Sequence, residues 1–527
     1  MQKHFKYFLL AVIAILFTIT VVSGRRECIV RKVPNADTMC VCNATYCDDF
    51  PPLRPAKQGF ATVYESNKVG DRFKETELKF GSTTSSAVSD GQRVTVTIDA
   101  TKKYQSIYGF GAAFTDSTGQ MLASVDESLA NQLIDSYFSE NGIEYSVARV
   151  PMAGTDFSDR PYSYDDFDED LELKHFALQR EDTDWKIPYI KRALKVSPHK
   201  VKLFGSPWSP PAWMKTNHKF EGNGYLRGDV GGPYYQSFAN YFVKFLEAYK
   251  SHGIEFWGLT VENEPNEGQN NKNYNCLNLT GPTERDFVKL NLGPTLAKAG
   301  YGTDKVALMV YDDNLGELKH FVTPILEDRE AMKYVSGIAF HWYGNGLMDV
   351  WPDSLLDEFH EKYPDTFILN TEACHLSDSE PSGVRLGNWE YAEHYAYDII
   401  RDLNKHMRGW VEWNMALDMK AGPRWNEKQG YGGCVNIDPA VGEAYKQPSF
   451  YAIGHFSKFI APDSVRVHNT ADQTFKNFSV LTVQRPDNRL VLVALNARSG
   501  DIELNIVDST RSLSHKIPAH SVQSYIW

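Results

Sequence analysis

Five hundred and twenty-seven residues exceed one simple domain and suggest roughly two to four. Hydrophobic residues make up 42% and charged residues 23%, which excludes wholesale disorder. The net charge is −12, or −14 without the first 24 residues, whose only Lys or Arg residues are Lys3 and Lys6; an acidic chain without basic blocks excludes nucleic acid as the natural partner.

Lys3 and Lys6 precede an apolar run of 15 residues from Phe8 to Val22, and Val22-Ser23-Gly24 supplies small residues suited to cleavage. The run is short of the ~20 residues that span a bilayer, and nothing later is long or apolar enough. Residues 1–24 are therefore expected to be a signal peptide rather than an uncleaved anchor, with maturation near Arg25 and delivery to the secretory pathway. Cysteine usage agrees. Cys28, Cys40, Cys42 and Cys47 follow the cleavage site closely; four cysteines allow three pairings, and adjacency favours Cys28–Cys40 with Cys42–Cys47. A zinc knot is the rival, but the segment has no His and no common zinc spacing. Cys276, Cys374 and Cys434 are an odd remainder, so at least one thiol stays free. In a secreted chain the sequons at Asn43, Asn278 and Asn477 become candidate glycosylation sites.

The stretch 81–91 reads as a polar turn, and Val94, Val96 and Ile98 alternate with threonines as in a strand with one buried face. From about Tyr104 to Met415 the rhythm changes. Eight short apolar segments end in polar and aromatic residues: Ile107–Asp116, Tyr145–Asp156, Val201–Trp213, Phe256–Pro265, Val306–Asp313, Val335–Tyr343, Thr366–Ala373 and Gly409–Asn414. Helical patterns lie between them; Tyr234, Phe238, Tyr241, Phe242, Phe245 and Tyr249 repeat at helical spacing and stop before Gly253. This α/β alternation predicts a (β/α)8 TIM barrel. A doubly wound open sheet is the rival, but Gly109-Phe-Gly111 matches a phosphate fingerprint only in part. Short strands return at 479–483, 489–495 and 502–506, so the two chain ends are expected to meet in one β-sandwich beside the barrel.

Barrel chemistry sits at the C-terminal ends of the strands. Strand four ends Glu262-Asn263-Glu264-Pro265, and strand seven ends Asn370-Thr371-Glu372. Alternation points Glu262 and Glu264 the same way, with Glu264 nearer the mouth. Two carboxylates facing one another across a bond are what glycoside hydrolysis requires. The acidic run Asp165–Glu172 invites a calcium reading, but its spacing is not that of an EF-hand loop, and a solvated loop is the expectation.

The chain resembles the lysosomal glucosylceramidases of glycoside hydrolase family 30 from Cys28 to Trp527. The resemblance is carried by 40–47, Gly-Phe-Gly-Ala-Ala-Phe-Thr-Asp (109–116), Val-Pro-Met-Ala (150–153) with Asp156-Phe157-Ser158, and Ser-Pro-Trp (206–208) with Pro210. It continues through Glu-Asn-Glu-Pro (262–265), His341-Trp342-Tyr343, Glu372-Ala373-Cys374, Trp413-Asn414 and 454–460. It implies Glu264 as acid/base and Glu372 as nucleophile, with Asp156, Trp208, Asn263, Tyr343 and Trp413 around the sugar. Asn263 would bond the 2-hydroxyl, an ionised Asp156 would accept from two hydroxyls, and Tyr343 would orient the nucleophile. Trp208 and Trp413 could stack on the ring or simply pack the barrel, and His341 could touch substrate or bond within the core.

The expected division is a signal peptide at 1–24, a small disulfide-bearing β segment at 25–54 joined by about 415–446, a β-sandwich at 55–103 with 461–527, and a barrel at 104–414 with 447–460. The implied function is retaining hydrolysis of glucosylceramide in the lysosomal lumen (or after secretion), without metal or other cofactor. A saposin-type activator and an anionic lipid surface are the implied partners, with peripheral membrane contact. A β-xylosidase or endo-β-1,6-glucanase on the same fold, or a glycolipid-binding pseudoenzyme, are the alternatives. The loop 426–436 departs from the family pattern, which bears on aglycone preference, and Asn370-Thr371 is more polar than the family's residues there. The charge on Glu372 is expected to raise the pKa of Glu264.

Overall fold

Eight strands, all paired in parallel, close into a ring in the computed structural model, which describes residues 24–34, 36–81, 92–266, 272–343, 354–375, 384–426, 432–509 and 511–527. The expected leader, nearly all of the turn at 81–91, and residues 427–431 of the divergent loop lie outside the described residues. The barrel strands are β1 (Gly109–Ala113), β2 (Val147–Met152), β3 (Lys202–Pro207), β4 (Gly258–Thr260), β5 (Ala307–Asn314), β6 (Gly337–His341), β7 (Phe367–Glu372) and β8 (Gly409–Asn414). Seven lie inside the segments read from the sequence and β5 runs one residue past its segment, to Asn314; β8 pairs with β1 to close the ring. Every residue of β1, β2, β6, β7 and β8 is buried. That is why these strands read as near-continuous apolar runs rather than alternating ones: helices cover the outside and side chains fill the inside.

The helix predicted from aromatic spacing spans Pro233–Ser251, with Phe238, Tyr241, Phe242, Phe245 and Tyr249 buried and Gly253 in the left-handed region beyond its end. The glycines of β1 serve packing rather than phosphate binding. A Cβ on Gly111 would meet the Val147 carbonyl oxygen at 1.7 Å, so only glycine lets β1 lie this close to β2.

Nine further strands, from Phe60–Asn67, Lys74–Lys79 and Arg93–Ser106 at one end and from Val465 to Ile526 at the other, form a second sheet. Side chains from both ends of its strand order, such as Val63, Leu78, Leu504 and Leu513, share one core with Val94 and Val96, so the sheet closes on itself as a β-sandwich. A third sheet joins Val30–Lys32 and Thr38–Asn43 to Ala416–Asp418, Val435–Asp438 and Glu443–Lys446. Among the described residues no helix is long and apolar enough to cross a membrane.

Cys28–Cys40 and Cys42–Cys47 are bonded, while Cys276, Cys374 and Cys434 are free and buried. The bridges separate partners by only 12 and 5 residues, so each is worth about 2–3 kcal/mol, chiefly by restricting the unfolded chain. Replacing Cys28 and Cys40 together should lower secreted yield several-fold and leave kcat/KM of the purified, folded fraction unchanged. An equal loss of turnover in that fraction would tie the segment to the catalytic centre instead.

Candidate active site

Glu264 and Glu372 are brought together at the C-terminal mouth of the barrel, where a carboxylate oxygen of each and a ring nitrogen of His341 lie within 4.8 Å of one another. Glu372 ends β7. Glu264 lies four residues beyond β4, in the left-handed region at φ 46°. Its own N–H donates to the Asp312 carbonyl at 2.9 Å, and that of Asn263 donates to the Pro207 carbonyl at 2.8 Å, which hold this costly backbone in place. Regular alternation stops at Thr260, so the expectation that Glu262 and Glu264 point the same way has no strand to rest on. Glu262 is fully buried, and neither of its carboxyl oxygens has a hydrogen-bond partner.

Arg149, fully buried on β2, organises the floor. Its guanidinium donates to Glu372 through Nη1, to Asn263 Oδ1 at 2.8 Å, to Asp312 Oδ2 at 2.7 Å and to Ser206 Oγ at 3.1 Å. The Tyr343 hydroxyl donates to Glu372 at 2.9 Å, as its expected orienting role requires. The Tyr274 hydroxyl donates to Glu264 at 2.9 Å. His341 is wholly buried; Nδ1 meets Glu264 at 3.2 Å and Nε2 meets Asp312 at 3.1 Å, so the core hydrogen-bonding reading holds for it. Asp312 also accepts from Thr260 at 2.7 Å and Thr371 at 2.6 Å. Trp208 and Trp413 stack on each other with centroids 4.9 Å apart, with the Arg149 guanidinium 4.6 and 5.3 Å from their rings. Stacking takes up one face of each indole, so packing and any contact with a sugar are shared duties.

The electrostatics follow from two buried cations among several carboxyls. Burial opposes charge on His341, but Glu372, Asp312 and Glu264 outweigh it and push the ring up to about 10. Burial likewise opposes ionisation of Asp312, yet Arg149 and His341 hold it well below the usual carboxylate range. Burial pushes Asp156 up to about 8, with Glu372 and Glu264 adding to the shift. A carboxyl raised in this way can donate to a sugar hydroxyl while it holds its proton, and can accept from two once ionised. The ordering expected for the two glutamates is reversed. Glu264 is buried, which raises it, but donation from His341 and Tyr274 lowers it below its ordinary value. Glu372 is raised by burial above all and by the Glu264 charge, against the lowering effects of His341 and Arg149. The two glutamates are electrostatically linked, since the Glu264 charge is one of the influences that raise Glu372.

Arg149, Asp312 and Tyr274 escaped the sequence reading. An arginine in the otherwise apolar Val147-Ala148-Arg149-Val150 was the available signal, because an unpaired buried guanidinium is too costly to be incidental. Thr371, by contrast, has an evident use for its polarity in bonding Asp312.

Elsewhere, two expectations need correction. Asn278 is fully buried, with its amide donating to Asn223 at 3.2 Å, so this sequon has no room for a glycan; Asn43 and Asn477 are half-buried. The acidic run is not uniformly solvated: Asp165 and Asp170 are buried while Asp166, Asp168 and Glu169 are exposed.

Residues 107–460 match the Glycosyl hydrolase family 30 TIM-barrel domain, and residues 463–525 match the Glycosyl hydrolase family 30 beta sandwich domain. The chain is 39% identical to the lysosomal acid glucosylceramidase of Mus musculus over 506 residues, covering 96% of each. The crystal structure of SrfJ from Salmonella typhimurium superposes with a TM-score of 0.79 at 26% identity, covering 89% of this chain and 99% of that one. An endo-beta1,6-glucanase, BT3312, superposes at 0.76 and 28% identity, covering 89% and 99%.

Proposed function

The chain belongs to glycosyl hydrolase family 30, and on that premise we propose that it is a retaining β-glucosidase that converts glucosylceramide to glucose and ceramide. The observation that carries this reading is the approach of Glu264 and Glu372 within 4.8 Å. Inverting enzymes hold their carboxyls ~6.5–9.5 Å apart to admit a water between them, and retaining ones ~5–5.5 Å.

The reactive form carries its proton on Glu264, because only an ionised Glu372 can attack. In the first step Glu372 then attacks the anomeric carbon and forms a glucosyl ester, while Glu264 gives that proton to the departing ceramide oxygen. In the second, Glu264 takes a proton from water, which releases β-glucose and frees Glu372. Tyr343 and Arg149 aim the nucleophile, and Arg149 also fixes the Asn263 amide that would meet the 2-hydroxyl. Once Glu372 is esterified its charge is gone, and His341 and Tyr274 hold Glu264 as the carboxylate that water activation needs. The choice of glucosylceramide rests on the similarity to the mouse enzyme. Hydrolysis of glucosylceramide exceeding that of β-1,6-glucan and aryl β-xylosides is the expected result; faster cleavage of the glycan or xyloside would reassign the substrate, and affinity for the glycolipid without turnover would make the protein a binder.

The lipid aglycone has to reach the barrel mouth from a membrane surface or a carrier. We place the reaction in the lysosome, at an anionic lipid surface with a saposin-type activator. A net charge of −14 for the mature chain opposes such a surface at neutral pH, and protonation of histidines and carboxyls relieves this in acid. Stimulation by phosphatidylserine vesicles should therefore be several-fold stronger at pH 5 than at pH 7; equal stimulation would remove electrostatics from the account.

A further inference from the structure

We propose that Asp165, Asp170 and His175, on the long loop after β2, bind one divalent ion of the zinc class at the barrel rim, apart from the glucose pocket. One donor atom from each of the three lies within 4.8 Å of the others. Ligand atoms around a single ion at ~2.0–2.2 Å are separated by at most about 4.4 Å, so a small closure completes the set. The independent observation is at Asp165. Its residue is 1% exposed, and its carboxylate Oδ2 is buried without any hydrogen-bond partner.

Every other polar atom of that residue is engaged. Its N–H donates to Ser163 Oγ at 3.2 Å, Oδ1 accepts from the Phe167 N–H at 3.3 Å, and its carbonyl accepts from the Trp213 indole at 2.9 Å. The carboxylate is thus anchored through Oδ1, while its Oδ2 has no partner. An unmatched buried oxygen of this kind costs ~1–3 kcal/mol, more when charged, and a cation is the partner that answers it.

Asp170 is 9% exposed, and its Oδ2 meets both the backbone N–H and Nδ1 of His175 at 2.8 Å. The nearby cations are committed elsewhere: Arg227 to Glu169, and Lys174 to Glu172. The imidazole stacks on the exposed Phe167 ring at 4.0 Å and is itself half exposed, which leaves a route for an ion from solvent. Two carboxylates and one imidazole suit zinc or manganese better than calcium or magnesium, which favour all-oxygen shells. Binding would replace the His175–Asp170 contact with two metal bonds.

The test is calorimetric titration of zinc chloride into the chelator-treated full-length secreted protein at pH 7, with thermal unfolding alongside. One ion per chain and a raised Tm are expected. His175→Asn, which changes a largely exposed side chain, and Asp165→Asn should each weaken zinc binding by at least about tenfold and leave aryl-glucosidase activity of the zinc-free protein unaltered. The proposal is overturned if no zinc binds, or if His175→Asn binds it as tightly as the parent. It is equally overturned if binding survives in His175→Asn but disappears in Glu372→Gln, which would put the ion in the glucose pocket.

Discussion

Glu372→Gln should abolish hydrolysis whatever the leaving group, whereas Glu264→Gln should divide substrates by the proton demand of the group that departs. Without Glu372 no glucosyl ester can form, so a nitrophenyl glucoside and the glycolipid lose turnover alike. Without Glu264 a nitrophenolate still leaves unaided, while an alkoxide does not; its kcat should fall by roughly 10²–10⁴. The ester then accumulates, because no base activates the water, and a burst of nitrophenol is followed by slow turnover that azide restores. Labelling with a 2-deoxy-2-fluoroglucoside should modify Glu372 alone. A label on Glu264, or a first-formed product of α configuration, would reverse the assignment. None of these outcomes depends on the charge state of the ligand-free site, where two donors hold each glutamate: Tyr343 and Arg149 on one, Tyr274 and His341 on the other.

The second large effect concerns pH and stability. Burial pushes the carboxyls of Asp156, Glu284 and Glu412 up to about 8, and those of Asp313 and Asp402 up to about 7, with neighbouring carboxylates adding to the shift at Asp156, Glu284, Asp313 and Asp402. In the unfolded chain these groups titrate near ~4. Between the two values the folded state binds more protons, so stability falls as pH rises. His341, raised to about 10, adds to this trend: its contribution is complete below ~6.5 and is lost as pH climbs through 10.

Opposing groups are His406, lowered by burial and by His360 to about 4, and His455, lowered by burial and by Arg72 to about 3. Their contribution is complete above ~6.5 and is lost only as pH falls below it. From pH 6.5 to 8 the carboxyls therefore act without opposition from these histidines. The Tm of the ligand-free protein should decline across that interval, and the maximum should lie on the acid side of 6.5. A Tm that rose from 6.5 to 8 would mean that these carboxyls are ionised and paired in the folded state.

The barrel was legible in the chain because parallel strands covered on both faces must be apolar throughout, and each of the eight runs proved to hold one strand. The helix at 233–251 was legible because its aromatic residues recur with the helical period, and the bridges followed from four cysteines crowded into a short segment. Glu264 and Glu372 stood out because strand-end carboxylates in a barrel face a common axis, and a resemblance to family 30 supplied their roles. Local pattern carried this much because periodicity, turn chemistry and cysteine spacing act between residues near in sequence.

Proton placement had to wait for the fold. Arg149, Asp312, His341, Glu264 and Glu372 lie on five different strands or strand ends, and their mutual distances follow from ring closure rather than from any local rule. The charge state of each depends on burial and on neighbours mostly distant in sequence, which no local pattern encodes. Glu262 shows the same limit at shorter range: two residues from Glu264, it is buried without a hydrogen-bond partner while Glu264 meets Tyr274 and His341, and past the strand end at Thr260 alternation no longer applies. Asn278 and Asp165 read as exposed polar residues and are buried, since exposure is a property of what packs against a segment and not of its composition. Sequence determined which residues could do chemistry here; closure of the barrel decided which of them meet.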